Sequence, residues 1–256
     1  MLAKLFFVWR VVATGGCFVL FGLGGLLLRC VLLPIVTMSV PKSQRIAATR
    51  KLIKMSFRVF IAVMHGVGVL RYEISGREKL ARRGLLILAN HPTLIDTVFL
   101  MAIVEHADCI VKAGLRQNSF TRAAVISAGY AFNNDGAGLL NDCIDSLRSQ
   151  SNLIIFPEGT RSEPGSHLSF KRGAANVAVR GGCDITPVII TCHPQTLGKG
   201  EPWWKIPASV PTFRIEVLED IPINTFTADG VSDVLAARHL TTYLENYFTQ
   251  GSQRHA

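Results

Sequence analysis

Eighteen consecutive positions, residues 11–28 (VVATGGCFVLFGLGGLLL), carry no charge, and after Arg29 the apolar run resumes from Cys30 to Met38. That length is enough for a tilted membrane helix. Three readings fit the run: a spanning helix, a helix that dips in and returns near Pro34, and a cleaved leader. The leader is the weakest, because the apolar region is too long and no small-x-small site precedes a polar mature start. Lys and Arg flank the run on both sides, so the positive-inside rule gives no orientation. From Ser43 to Leu70 the pattern changes. Arg45, Arg50, Lys51, Lys54 and Arg58 fall among Ile46, Leu52, Ile53, Met55, Phe57, Phe60, Ile61 and Met64, which predicts a long helix with a basic and an apolar side. Such a helix can lie among lipid headgroups. Packing on a domain with a solvated basic face is the alternative.

Beyond residue 70, short β-rich runs alternate with helical periods. Strands are predicted at Arg71–Ser75, Leu85–Ala89, Cys109–Val111, Tyr130–Asn133, Leu153–Phe156, Thr186–Thr191 and Phe213–Leu218. Helices are predicted at Thr93–Glu105, Ser119–Ala128, Gly138–Gln150, Arg172–Arg180 and Val231–Thr249. This alternation gives the fold class α/β: a mostly parallel central sheet flanked by helices, preceded by an N-terminal helical membrane-binding segment. The expected division is 1–70 for the anchoring helices and 71–256 for the α/β domain. Residues 194–211 (PQTLGKGEPWWKIPASVP) read as a surface loop whose Trp203 and Trp204 either touch a membrane interface or simply pack.

Charge sharpens this division. Residues 1–58 hold nine Lys and Arg and no Asp or Glu, so the formal charge of +9 sits wholly in the apolar N-terminal segment. A basic excess interleaved with apolar runs fits an anionic membrane surface; nucleic acid is excluded as a partner, because no exposed aromatics accompany the charges elsewhere. Six cysteines, at 17, 30, 109, 143, 183 and 192, contain no CxxC pair and two lie in the apolar segment. That is no disulfide framework, and it favours a reducing compartment.

Two stretches carry candidate chemistry. In Asn90-His91-Pro92-Thr93-Leu94-Ile95-Asp96, Pro92 disfavours helix at His91 and suits a helix start, so His91 should sit at a strand-to-helix turn with Asp96 about a turn and a half into the helix. His91 can then fold back so that the carboxylate fixes one ring nitrogen and leaves the other to accept a proton from an alcohol. A capping or core histidine is the competing reading. In Phe156-Pro157-Glu158-Gly159-Thr160-Arg161-Ser162, Pro157 and Gly159 make a tight turn that presents the Arg161 fork, suited to a phosphate or phosphopantetheine group; Glu158 joins the polar network or pairs with Arg161. The remaining histidines form no metal-ligand spacing, and no GxSxG elbow occurs.

The order NHPTLID, then FPEGTRS about 60 residues on, then Phe170-Lys171-Arg172-Gly173-Ala174 and Ile185-Thr186-Pro187-Val188-Ile189, resembles the glycerolipid acyltransferases of the 1-acyl-sn-glycerol-3-phosphate type over roughly residues 71–217. The resemblance implies that His91 is a general base and Asp96 its orienting partner. It places Glu158, Gly159 and Arg161 on the acceptor's polar head, with Asn90, Lys112, Thr160 and Lys171 as further substrate-binding residues. No metal and no cofactor are implied: acyl-CoA or acyl carrier protein is a co-substrate, and membrane lipids are the main partner. One element departs from the pattern. Where the resemblance calls for a glutamate and an arginine, this chain has Gly114 and Asp135. An anion in place of a cation weakens recognition of a glycerol phosphate.

The expected activity is therefore transfer of a fatty acyl group from a thioester to a lipid hydroxyl, by resemblance conversion of 1-acyl-sn-glycerol-3-phosphate to phosphatidate. Asp135 keeps open a different lysolipid acceptor. A membrane-tethered binding protein without catalysis is the further alternative. The expected location is a membrane, with the α/β domain on the cytosolic face, which in a bacterium is the inner membrane.

Overall fold

The protein is described here by a computed structural model covering residues 2–111, 122–132, 138–162, 167–227 and 230–253. The apolar N-terminus forms α1 (Leu2–Leu27), a π-helical turn (Leu28–Leu32) and α2 (Leu33–Ser39). Pro34 occupies the first positions of α2, and its ring would strike the carbonyl of residue 30 in a regular α-helix. The wider π-turn directly before it removes that clash. The chain consequently passes through Pro34 and reverses only at Val40–Pro41, after which α3 (Arg45–Gly66) runs back along α1. Trp9 Nε1 donates to the Val67 carbonyl at 2.9 Å, and Phe21 packs on Phe57 and Phe60. One continuous stretch, Lys4–Ser39, is long and apolar enough to cross a membrane.

Among the described residues seven strands follow: β1 (Arg71–Ser75), β2 (Leu86–Ala89), β3 (Ala107–Val111), β4 (Ala131–Phe132), β5 (Asn152–Ile155), β6 (Ile185–His193) and β7 (Thr212–Val217). Their order in the sheet is β1-β7-β6-β2-β5-β3-β4. From β6 to β4 every pairing is parallel, while β7 runs antiparallel to β6 and carries β1 parallel to itself at the edge. The sheet is thus mostly parallel, as the sequence predicts. Among the described residues, the helices that follow are α4 (Asp96–Ile103), α5 (Arg122–Ser127), α6 (Gly138–Arg148), α7 (Gly173–Gly181) and α8 (Asp233–Gln253).

The alternation of side chains along β2 divides the core in two. Ile87 and Ala89 join Phe99 and Leu100 of α4 and Ile53, Ile61 and Met64 of α3 on one face. Leu86 and Leu88 join Ala174 and Ala178 of α7 and Leu240, Leu244 and Phe248 of α8 on the other. Both faces of the central strands are covered, so they read as unbroken apolar runs.

The basic face of α3 is partly turned inward. Arg50 donates to Asp108 at 2.8 Å and to the Ala128 carbonyl at 2.9 Å, and its guanidinium lies over the Tyr130 ring. Asp108 also accepts from Ser146 Oγ at 2.6 Å. Lys54 pairs with Glu105, which holds that carboxyl below the ordinary range. These pairs bind α3 to β3, so a helix that the charge pattern offered to headgroups gives two of its cations to the α/β domain. Arg50→Ala strands the Asp108 charge in a nearly dry site, and urea unfolding in detergent should show a loss of about 3 kcal/mol. A loss under about 1 kcal/mol would mean that water already solvates the pair.

Candidate active site

Strand β2 ends at Ala89 and its neighbour β5 ends at Ile155, with Leu88 opposite Ile155 in parallel register. The two chemical stretches therefore leave the sheet side by side at its carboxyl edge, where ligands of open parallel sheets bind. Hydrogen bonds then join them. The His91 N–H donates to Glu158 Oε1 at 2.9 Å, the Ser162 N–H donates to the His91 carbonyl at 2.8 Å, and Ser162 Oγ donates to Glu158 Oε1 at 2.9 Å. Burial raises the Glu158 carboxyl above its ordinary range, against the bonds from Ser162 and His91 that lower it.

His91 Nδ1 lies 2.9 Å from Asp96 Oδ2. Asp96 is fully buried and accepts two further bonds, from the Thr93 N–H at 2.6 Å and from Thr93 Oγ1 at 2.5 Å. Burial raises its carboxyl; the bonds from His91 and Thr93 pull the other way and favour the anion. The helix starts at Asp96 rather than at Thr93 as predicted, because Thr93 closes a turn on the carboxylate instead of entering helical hydrogen bonds. Asp96 is thus in the first turn, where the helix dipole stabilises an anion. The T-x-x-D spacing, an N-terminal capping signature, is the signal by which Thr93 could have been found from sequence. The His91 ring stacks on Phe156, centroids 4.4 Å apart, and keeps partial access to solvent, which leaves Nε2 as the nitrogen not engaged by Asp96.

The other expected site residues separate. Gly159 and Thr160 are exposed on the turn, and Gly159 has φ +67°, open to glycine at little cost. A Cβ there would come within 3.0 Å of the Lys171 ammonium and its last methylene, so Lys171 folds over this glycine beside the turn. Arg161 Nη1 donates to the carbonyls of Leu197 at 3.1 Å and Gly198 at 2.7 Å, tying the turn to the 194–211 loop. Asn90 and Glu158 both engage backbone groups of the site. Asn90 is buried with its amide clipped across the strands, Nδ2 to the Ile190 carbonyl at 2.8 Å and Oδ1 to the Ile190 N–H at 2.7 Å. Glu158 places its Oε1 on the His91 backbone rather than on Arg161. Both side chains shape the site through the backbone, a use that no spacing rule announces. Lys112, Gly114 and Asp135 lie outside the described residues. No cluster of His, Cys, Asp or Glu among the described residues could hold a metal.

Comparison with protein families matches residues 71–191 to the Acyltransferase family. Among curated proteins, the chain is similar to the 1-acyl-sn-glycerol-3-phosphate acyltransferase alpha of Mus musculus, 26% identical over 57% of this chain and 53% of that protein. It is also similar to the 1-acyl-sn-glycerol-3-phosphate acyltransferase of Helicobacter pylori, 34% identical over 41% of this chain and 47% of that one. The chain spans about half the length of these curated relatives. The crystal structure of the 1-acyl-sn-glycerophosphate acyltransferase of Thermotoga maritima superposes with a TM-score of 0.70 over 92% of this chain and 95% of that one, at 21% identity, and so shares the fold.

Proposed function

We propose, from the premise that the chain belongs to the acyltransferase family, that it is a membrane-associated O-acyltransferase carrying a fatty acyl group from an acyl thioester to a lipid hydroxyl. The observation that carries this reading is the His91–Asp96 pair held beside the Glu158–Arg161 turn by backbone bonds between two adjacent strand ends. His91 Nε2 takes the proton of the acceptor hydroxyl while its oxygen attacks the thioester carbonyl. Asp96 fixes the ring through Nδ1 and stabilises the imidazolium. Collapse of the tetrahedral intermediate breaks the carbon–sulfur bond, and the leaving thiolate takes the proton from His91. No acyl-enzyme is needed.

Arg161 keeps the other donors of its fork for a phosphate, and Lys171 adds a second cation across Gly159. Two cations flanking one turn support a phosphorylated acceptor, and the names of the relatives specify 1-acyl-sn-glycerol-3-phosphate. Asp135 favours a second reading, a different lysolipid headgroup. The test is transfer by the detergent-solubilised full chain from labelled acyl-CoA or acyl carrier protein, with lysophosphatidate or other lysolipids as acceptor. Product from lysophosphatidate supports the first reading; product only from another lysolipid supports the second. No product from any acceptor would leave a tethered binding protein.

Anchoring is supported by the exposed apolar row Leu5, Val8, Val12, Val19, Leu23 and Leu27 on α1. Thr14 and Cys17 of the same helix are buried against the rest of the protein. A helix covered on one side by its own domain suits insertion into one leaflet better than a full crossing, with the active site facing the cytosol, where either thioester donor is made.

Glu158 supplies a further test of the site. Glu158→Gln keeps an oxygen for both the His91 N–H and Ser162 Oγ, so activity should stay within about tenfold, while Glu158→Ala unties the two loops and should cost about 10²-fold in kcat. Steady-state kinetics on both variants separate a positioning role from direct acceptor binding, which would make the glutamine variant fail as badly as the alanine one.

A further inference from the structure

Within residues 194–211, both tryptophans are exposed, Trp203 at 38% and Trp204 at 59%. Trp203 does not stand alone. A Cβ on Gly15 of α1 would meet its indole at 3.0 Å, so the ring lies directly on the helix backbone, and it packs on the exposed Phe18 at 5.8 Å between centroids. Trp204 meets Trp203 edge to face at 5.6 Å. Phe18, Trp203 and Trp204 thus form one exposed aromatic row that continues the apolar surface of α1 onto the α/β domain.

The loop is fixed at both ends of this row. Arg10 of α1, 1% exposed, donates from Nη1 to the Ala208 carbonyl at 3.0 Å. At the other end Leu197 adopts φ +52°, a left-handed conformation costly for a γ-branched residue, with its side chain buried. That conformation aims one carbonyl at two donors, the Leu94 N–H of the His91–Asp96 stretch at 3.1 Å and Arg161 Nη1 at 3.1 Å. A single loop therefore runs from the helix surface to the cation of the active-site turn.

We infer that the 194–211 loop is a second lipid-contacting element, a strap whose Trp203 and Trp204 enter the same leaflet as α1 and which sets Arg161 at headgroup depth through the Leu197 and Gly198 carbonyls. The occupant is a lipid surface rather than a second protein. The row is continuous with the apolar face of α1; it is rich in tryptophan, which settles at membrane interfaces; and the adjoining residues 1–58 carry no anion and, besides the inward-held Arg10, Arg50 and Lys54, six further cations complementary to anionic headgroups. The inference rests on the proposed membrane placement of α1 and on Arg161 as the acceptor clamp.

The test uses the full chain bound to vesicles of phosphatidylcholine and phosphatidylglycerol with and without bromine near the headgroup end of the acyl chains. Two single-tryptophan variants are compared, W9F/W203F, which retains Trp204, and W203F/W204F, which retains Trp9 of α1. Emission of Trp204 should fall about twofold on the brominated vesicles, together with that of Trp9. Quenching of Trp9 alone overturns the strap and leaves the anchoring reading standing. Quenching of neither overturns both. Trp204 emission that responds to protein concentration and not to bromine assigns the row to a second copy, and the inference falls. In the same vesicles Trp204→Ala should raise the apparent KM for a membrane-borne acceptor about tenfold at unchanged kcat, and leave a short-chain soluble acceptor unaffected. An equal loss with the soluble acceptor would place the effect in the folding of the loop and overturn the strap.

Discussion

Replacement of His91 by alanine should lower acyl transfer about 10³-fold, the scale of a positioned general base, with the fold intact. The ring is held by two contacts, the Asp96 bond and the Phe156 stack, and is partly open to solvent, so its removal leaves a small void at the surface rather than a core cavity. The backbone bonds that join the two loops use the His91 N–H and carbonyl, which alanine keeps. Binding of the lysolipid should persist for the same reason, since Arg161 and Lys171 are untouched. Single-turnover transfer from labelled thioester, beside a thermal melt of the same preparation, tests the combination. A loss under about tenfold with an unchanged melt would mean that another group accepts the proton, and the direct-transfer mechanism would have to be abandoned.

Strands β2 and β5 were readable because they are covered on both faces, and burial on both faces writes an unbroken apolar run bounded by Asn, Pro or Gly. The dyad was readable as well: a histidine before a proline and a carboxylate five residues later can meet only by folding back, and they do. What the sequence could not state was adjacency. Nothing in residues 86–89 says that 152–155 lies beside them, so the joining of the two stretches depends on a sheet order that only non-local packing decides. Backbone partners were equally silent. Glu158 reads as an anion beside a cation, yet its oxygen serves an amide 67 positions away. Arg161 reads as a free clamp, yet one of its nitrogens is committed to two carbonyls of a distant loop. Arg10 was legible only as an interruption near the start of an apolar run. Its burial against Ala208 is a tertiary fact, and with the Trp203 contact it joins the anchor to the site.

Substituting Asp96 by asparagine isolates the charge from the geometry. Oδ2 accepts from both His91 Nδ1 and the Thr93 N–H, while among the described residues Oδ1 accepts only from Thr93 Oγ1. An amide nitrogen at the Oδ2 position would face the Thr93 N–H donor to donor at 2.6 Å, so the asparagine oxygen takes that place. The amide nitrogen then meets a hydroxyl, which can rotate and accept. The ring therefore keeps its tautomer and orientation in Asp96→Asn, and what is lost is the negative charge that stabilises the imidazolium formed as the hydroxyl proton transfers. A carboxylate at this separation is worth about 3–4 kcal/mol to that cation at the effective dielectric of protein sites, which corresponds to a fall of about 10²-fold or more in kcat with little change in KM. Asp96→Ala removes the hold on the ring as well and should fall further. The ratio of the two variants then measures orientation, and the asparagine variant alone measures charge. Equal losses for both would mean that orientation, not charge, is what Asp96 supplies, and a loss under about tenfold in the asparagine variant would remove imidazolium stabilisation from the mechanism.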